Sequence, residues 1–312
     1  MDFNGLINVE NVEIHLKNTK TSESNPEILL GENVRKLVLR SERSKSSPFN
    51  LTNDQLEDLC LSGFDLSLKP TKCFLNLSKI QLKQCYVENF SFDLFPNLKL
   101  LDLDYVGGKI KGSSKSLIEL KISNCVNKFN FWLPKNYRQR LDLSLLEEFD
   151  ILQFPQLKIL SLSNIYNLRE LKICNHSCID VINLTECYHL TSLNVNYCQN
   201  LKSITISQCN QIEINGGFCG LVNCTKFDMT YSGIKKIWGN SFNFLGSLQE
   251  EVHVYLPHQL EAISCDLFSS PQKNGTVYIY NISNLFSLSF DSLNFFTDFF
   301  SNRRVIFRIT NK

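Results

Sequence analysis

Residues 190–209 read LTSLNVNYCQNLKSITISQC and give nearly the same pattern twice. Apolar residues and a cysteine fill relative positions 1, 4, 6 and 9, and they fill them again eleven residues later: Leu190, Leu193, Val195 and Cys198, then Leu201, Ile204, Ile206 and Cys209. The alternation at positions 4 and 6 is typical of a short β-strand. Because eleven residues are too few for an independent structural repeat, each half is expected to belong to a longer one.

The pattern that begins at Leu201 continues along nearly the whole chain. Its first position recurs at intervals of 19 to 28 residues: Val9, Val34, Leu56, Leu77, Leu98, Leu117, Arg138, Leu157, Ile179, Leu201, Cys224, Gln249, Asn274 and Asn302. Where the first position is no longer apolar, the strand pair is retained, as in Val277/Ile279. Intervals of this length are typical of the coils of a solenoid with one strand per turn.

The predicted fold is an α/β-class repeat solenoid that is predominantly β and right-handed, with about fourteen coils and a parallel concave sheet. A second apolar set lies midway between main strands, as in Leu168/Leu171/Ile173, so the back is expected to be largely extended. We predict a single solenoid over residues 1–312. Residues 1–33 would form the N-terminal coil or cap and residues 291–312 the C-terminal cap.

These repeats resemble the leucine-rich-repeat superfamily over nearly the full length of the chain. The cysteine at position 9 is similar to that of the cysteine-containing repeats in F-box/leucine-rich-repeat proteins: Cys85, Cys125, Cys187, Cys198 and Cys209. The stretch YLPHQLEAIS at residues 255–264 resembles the LP-x-x-L-x-x-L-x-L repeats of intracellular fungal and amoebal proteins. The F-box likeness implies substrate recognition in a ubiquitin ligase. No F-box is expected here, because Val9 already begins a coil.

Charge and composition argue against nucleic-acid and membrane partners. The 32 basic and 31 acidic residues nearly cancel, which removes the main electrostatic attraction to nucleic acid or to an anionic membrane. No apolar run approaches the roughly eighteen residues that span a bilayer. The expected partner is therefore a protein.

The twelve cysteines are expected to be thiols in a reducing compartment. The first residues, MDFNGLINVE, carry an early acid and no long apolar run, unlike a secretory signal. The predicted location is intracellular, either cytoplasmic or nuclear. An Asn- and Ser-rich composition is expected to produce Asn-x-Ser/Thr glycosylation sequons by chance, and such sequons would carry glycans only behind a signal peptide. The chain has eight of them: Asn50, Asn76, Asn89, Asn175, Asn183, Asn223, Asn274 and Asn281.

No motif favours an enzyme or a cofactor. The stretch GGKIKGSS at residues 107–114 lacks the Lys that a phosphate-binding loop needs after its last Gly, so a turn between coils is expected. The five histidines lie outside any hydrolase or metalloprotease motif. A thiol or zinc site remains an alternative where soft ligands are dense: Cys174, His176, Cys178, Cys187 and His189.

Positions 5 and 7 of each coil project from the exposed face of the main sheet, because positions 4 and 6 face the core. A C-terminal zone on this face is the first candidate for protein binding, since aromatic residues with polar tips are common interface anchors: Asp228, His253 and Tyr278 at position 5, and Tyr255 and Tyr280 at position 7. A charged N-terminal zone is the second candidate: Arg40, Lys83, Asp102, Asp104 and Asp142. The alternative is that tyrosines are simply favourable strand residues.

The sequence thus predicts a non-catalytic intracellular scaffold that presents a curved β-sheet to a protein partner. Two alternatives stay open. The chain could be the substrate-recognition subunit of an F-box-type ubiquitin ligase, or it could carry a thiol or metal site between Cys174 and His189.

Overall fold

The structure is a computed structural model that describes residues 2–3, 9–16, 29–41, 47–50, 53–67, 73–124, 154–165, 168–215, 217–238, 251–263, 276–280 and 304–308. Contacts within the chain group into two compact units, residues 1–149 and 150–312, and each is described by itself. Within the described residues, the single helical element is the short 3-10 turn Phe92–Leu94. No helix in those residues is long and apolar enough to cross a bilayer.

The described part of the first unit forms twelve strands. They are β1 (Asp2–Phe3), β2 (Asn11–Leu16), β3 (Leu29–Leu30), β4 (Lys36–Ser41), β5 (Ser47–Asn50), β6 (Asp58–Ser62), β7 (Phe64–Ser67), β8 (Lys79–Lys83), β9 (Tyr86–Ser91), β10 (Leu100–Asp104), β11 (Gly107–Lys111) and β12 (Glu119–Ser123). The main sheet has the order β2-β4-β6-β8-β10-β12, and a second sheet has the order β11-β9-β7-β5. In the predicted N-terminal cap, β1 pairs with β3.

The second unit repeats this plan. Its described strands are β13 (Ile159–Ser163), β14 (Glu170–Lys172), β15 (Val181–Thr185), β16 (Ser192–Asn194), β17 (Ser203–Ser207), β18 (Ile214–Asn215), β19 (Lys226–Asp228), β20 (Lys236–Trp238), β21 (Val252–Tyr255), β22 (Ala262–Ile263), β23 (Thr276–Tyr280) and β24 (Arg304–Arg308). The main sheet has the order β13-β15-β17-β19-β21-β23-β24, and β14-β16 and β18-β20-β22 form two smaller sheets.

Each described main strand pairs in parallel with the strand one coil away, so each unit is a parallel β-solenoid of stacked coils. In the first unit, Leu101 pairs with Leu120. In the second, Ile182 lies between Leu160 and Ile204. All five side chains are at most 2% exposed. The burial expected of position 4 is therefore confirmed within each unit. Leu141, the position-4 residue of the coil that begins at Arg138, lies outside the described residues.

The predicted extended back is also found. Strands β14 and β16 place Leu171 beside Leu193, midway between main strands. The first unit differs from expectation at residues 107–114, where a turn was predicted. Gly107–Lys111 instead forms β11, paired in parallel with β9, and the chain bends after it at Gly112, whose φ is +84°. The prediction of a turn there was wrong, because the preceding coil supplies a partner strand, β9.

A left-handed residue ends the main strands and turns the chain. Position 8 has positive φ in coil after coil: Gly63, Gln84, Tyr105, Asn124, Asn164, Glu186 and Gln208. The backbone N–H of this residue still donates to a backbone carbonyl oxygen of the neighbouring coil. Gln84 donates to the carbonyl of Asp104 at 2.8 Å, and Glu186 donates to that of Ser207 at 2.9 Å. The bend ends the strand without breaking the stack.

The bend also explains the cysteine at position 9. Cys85, Cys187 and Cys209 are at most 2% exposed. The Cys85 thiol donates to the Lys83 carbonyl at 3.1 Å, and Cys187 and Cys209 bond in the same way two residues back. A small side chain with a weak donor thus adds a second hydrogen bond to a carbonyl that already accepts one from the backbone of the preceding coil.

An asparagine ladder joins coils at the turns that enter four of the described main strands, β8, β10, β17 and β19. The side-chain amide nitrogen donates to a carbonyl of the preceding coil, from Asn76 to Asp54 at 3.0 Å, from Asn97 to Leu75 at 2.7 Å and from Asn223 to Gln199 at 2.8 Å. Asn200 donates to Ser177 in the same way. These residues precede position 1, and the sequence analysis did not identify them.

Replacing Asn200 by Ala should lower the free energy of unfolding of the protein by about 0.5–1.5 kcal/mol, because the Ser177 carbonyl loses its donor. Urea denaturation followed by circular dichroism measures the change. Gln199→Ala removes a neighbouring exposed side chain that is outside the ladder and should stay within about 0.5 kcal/mol of the parent. Equal effects of the two substitutions would mean that the ladder does not hold the coils together.

Candidate functional site

The C-terminal zone predicted from the sequence lies on β21 and β23, on the face opposite the core. Val252, Val254 and Ile279 point inward and are at most 3% exposed. Successive side chains of a strand point to opposite faces, so the alternate residues project from the other side of the sheet. Parallel pairing sets His253 beside Tyr278 and Tyr255 beside Tyr280. We call these four residues, His253, Tyr255, Tyr278 and Tyr280, the aromatic ladder.

The four rings form two stacked pairs. The ring centroids of Tyr255 and Tyr280 are 4.2 Å apart with 8° between the planes, and those of His253 and Tyr278 are 4.9 Å apart with 7°. The His253 ring also lies 5.9 Å from Tyr280, which joins the two pairs. Each ladder side chain is half-buried as a result. The four rings therefore form one continuous aromatic patch.

Hydrogen bonds hold the polar tips of the ladder. The Tyr280 hydroxyl and His253 Nδ1 lie 2.9 Å apart and share a hydrogen bond. The Tyr278 hydroxyl donates to the Glu251 Oε1 at 3.1 Å. Stacking and hydrogen bonding together order the rings before any ligand binds. This ordering reduces the conformational entropy lost on association.

Asp228 belongs to the site but lies in a different register from the expected one. The repeat positions predict that Asp228 lies beside His253, because both residues occupy position 5 of their coils. The structure pairs Asp228 with Tyr255, and Lys226 with His253. This two-residue shift keeps buried Phe227 opposite buried Val254, because side chains alternate with a period of two.

The shift introduces a charged pair that the sequence analysis did not assign to the site. Lys226 Nζ lies 3.7 Å from Asp228 Oδ2 and 5.9 Å from the centroid of the Tyr255 ring. Asp228 Oδ1 accepts a hydrogen bond from the Thr230 hydroxyl at 2.9 Å. Lys226 occupies position 3, and Glu251 lies just before β21. Neither residue is at position 5 or 7, the two positions that the sequence pattern assigns to the exposed face. Position 3 faces the same way as position 5, which is the signal that would have found Lys226.

The charged N-terminal zone, in the first unit, is largely neutralised by its own residues. Arg40 Nη2 lies 3.4 Å from Glu13 Oε1, and Lys83 Nζ lies 3.3 Å from Asp104 Oδ2. A hydrogen bond from His15 lowers the pKa of the Glu13 carboxyl from its usual value.

The remaining carboxylates of this zone are also engaged. Asp102 accepts from the Gln81 amide at 3.2 Å, and Asp104 accepts from the Asn124 amide at 2.7 Å. Asp142 lies outside the described residues. Because its charges pair internally, this zone gives a partner less unsatisfied charge than its sequence indicates.

The cysteine and histidine cluster does not converge on a metal site. Within the described residues, no three His, Cys, Asp or Glu side chains are placed to hold one ion. His176 is 3% exposed, and its Nε2 lies 2.9 Å from the Phe154 carbonyl oxygen. The Cys174 thiol donates to Asn194 Oδ1 at 3.0 Å, and Cys187 belongs to the buried column at position 9. These side chains connect coils, and the alternative of a metal site gains no geometric support.

Two of the buried thiols, Cys198 and Cys209, are also poorly disposed to react. Burial raises the pKa of Cys198 to about 11, and the Cys198 thiol donates to the Ile173 carbonyl at 2.8 Å. The hydrogen bond with Cys187, together with burial, raises the pKa of Cys209. The thiolate is the nucleophilic form of cysteine, so these groups remain protonated near neutral pH.

No protein-family model matches this chain, and no curated protein matches it.

Cys187, Cys198 and Cys209 should react with a thiol reagent only as fast as the protein unfolds, since all three are fully buried. Exposed Cys73 provides the internal reference and should be modified first. Timed alkylation at neutral pH, read for each cysteine by mass spectrometry, measures both rates, and urea should abolish the difference. Equal rates in the folded protein, or disulfides among the three, would contradict the expectation.

Proposed function

We propose that this protein is a non-catalytic protein–protein interaction scaffold, with the aromatic ladder as its binding surface. The observation that carries the proposal is the two pairs of stacked rings on an exposed sheet face, which two hydrogen bonds order. Tyrosine combines a large apolar area with a polar tip at low conformational cost, and it is enriched among interface hot spots. The ladder therefore has the composition of an interface anchor.

We further propose that the coils are leucine-rich repeats, about fourteen in number, which wind to the right in one continuous solenoid. The repeat pattern and the parallel stacking within each unit support this assignment. The coils at Arg138 and near Asn302, and most of the C-terminal cap at residues 291–312, fall largely outside the described residues. A repeat solenoid suits a binding role because it offers an extended surface to a partner.

We place the protein inside the cell, in the cytoplasm or the nucleus. None of the ten cysteines in the described residues forms a disulfide. The side-chain amide nitrogens of two sequon asparagines, Asn76 and Asn223, donate hydrogen bonds in the asparagine ladder. A glycan on either nitrogen would compete with this hydrogen bond between coils. Both observations agree with a reducing, unglycosylated environment.

The test compares partner retention by matched variants. Replacing both Tyr278 and Tyr280 by Ala removes one ring from each stacked pair and should weaken partner binding by about thirtyfold or more. Lost ring stacking should cost about 0.5–1.5 kcal/mol of folding stability per pair, so circular dichroism must first show a folded variant. Partners recovered by affinity purification and identified by mass spectrometry are then titrated against each purified variant.

The matched control replaces Ser163 and Ser207 by Ala. These hydroxyl residues occupy position 7 on β13 and β17 of the same unit and are also half-buried. The control should bind the partner like the parent protein. A folded tyrosine variant with unchanged affinity would show that the ladder is only strand surface.

A further inference from the structure

The hydrogen bond between Tyr278 and Glu251 decides which chemical groups the ladder offers at one corner. The Tyr278 hydroxyl donates its single proton to Glu251 Oε1 at 3.1 Å. A hydroxyl oxygen whose proton is committed can only accept further hydrogen bonds, and an ionised carboxylate is an acceptor only. A partner group that forms a hydrogen bond at this corner must therefore be a donor.

The charges beside the ladder favour a donor that is also a cation. The described charged side chains there are Lys226, Asp228 and Glu251. Lys226 Nζ lies 3.7 Å from Asp228 Oδ2, so these two charges offset each other. Glu251 is exposed and forms no ion pair with any residue that the structure describes. Its charge is the one that a partner can complement.

The arginines of β24 lie further along the sheet. Glu251 precedes β21, and β23 lies between β21 and the strand that carries Arg304 and Arg308. Two strand spacings amount to roughly 10 Å. Because charges at physiological ionic strength are screened over about 8 Å, the ionic partner that matters most to Glu251 is one in direct contact with it.

Arginine matches the two carboxylate oxygens of Glu251 better than lysine does. Its guanidinium is planar and carries five N–H donors in a fork that fits a carboxylate bidentately, whereas the lysine ammonium acts as a point charge. The hydrogen bond from Tyr278 holds the carboxylate in place, so a partner arginine meets an ordered acceptor. Arginine is also enriched with tyrosine among interface hot spots, and hot spots tend to face those of the partner.

We infer that the aromatic ladder binds an arginine-bearing segment of a partner protein, whose guanidinium donates two hydrogen bonds to the Glu251 carboxylate. This inference rests on the proposed function and adds the chemistry of the partner. In this arrangement the stacked rings supply apolar contact area and Glu251 supplies the charge. The Tyr278 hydroxyl positions the carboxylate.

The experiment measures binding of four fluorescent dodecapeptides to the full chain by anisotropy. Each peptide alternates Gly with one other residue, which is arginine, citrulline, lysine or glutamate. The Arg peptide should bind saturably. Citrulline keeps N–H donors but has no charge, so its peptide should bind about tenfold more weakly. The Lys peptide should bind about threefold more weakly than the Arg peptide, because an ammonium lacks the fork.

Three results would contradict the inference. The first is equal binding of the Arg and citrulline peptides, or no saturable binding of the Arg peptide. The second is a Lys peptide that binds as tightly as the Arg peptide, which would overturn the choice of arginine. The third is tighter binding of the Glu peptide, which would show that the basic residues of β24 determine the charge of this surface.

Two variants at the corner test the roles assigned to its residues. Glu251→Gln removes the charge but keeps an acceptor for the Tyr278 hydroxyl, and it should weaken the Arg peptide about fivefold. The citrulline peptide should bind this variant like the parent protein, since a damaged fold would weaken both peptides. Tyr278→Phe keeps the ring but removes the hydroxyl that positions Glu251, and it should weaken the Arg peptide about threefold.

Glu213→Gln is the matched control for Glu251→Gln. It makes the same change in net charge at an exposed residue of the same unit, just before β18, and should leave affinity for the Arg peptide unchanged. Equal effects at residues 213 and 251 would refute the role of Glu251, and full binding by the Phe variant would refute that of the Tyr278 hydroxyl. If the Ala variant of Tyr278 and Tyr280 loses its partner while the Arg peptide does not bind, the proposed function stands and the arginine-bearing partner does not.

Discussion

The parallel register between coils is the constraint on which the rest of each unit depends. A coil of about twenty residues cannot bury its apolar side chains alone, so it buries them against the coil before and the coil after. Backbone pairing in register then places equivalent positions above one another, as with Leu160, Ile182 and Ile204. The asparagine ladder, the buried cysteines and the stacked tyrosines are all columns of this kind, and each repeats one contact along the stack.

The turn after each main strand shows how the register tolerates a local cost. A residue other than Gly in the left-handed region costs on the order of 1–2 kcal/mol, and Gln84, Glu186 and Gln208 all adopt it. Each N–H still donates to the carbonyl of the next coil, and the following position turns inward as a buried cysteine. At Gly63 a side chain is excluded outright, because a Cβ there would lie 2.6 Å from the Ser41 carbonyl oxygen.

The sequence predicted the features that alternation determines. The main strands, their buried pairs and the extended back at Leu171 and Leu193 follow from apolar residues at fixed spacing. The two-residue shift between β19 and β21 could not be predicted, because it leaves every side chain on its original face. Strand β11 was missed for a different reason: its glycines indicate a turn, and only the neighbouring strand makes them extended. The partners of Lys226 and Glu251 likewise depend on register, which spacing alone does not fix.

This register has a consequence for the aromatic ladder. The ring separations of 4.2 Å and 4.9 Å are close to the roughly 4.8 Å between paired strands, so the backbone itself imposes the stacking. A shift of two residues preserves which face the rings occupy but changes the residues beside them. In this protein it brings Lys226 to His253 and Asp228 to Tyr255. The rings and the charges beside them can therefore vary independently within one sheet.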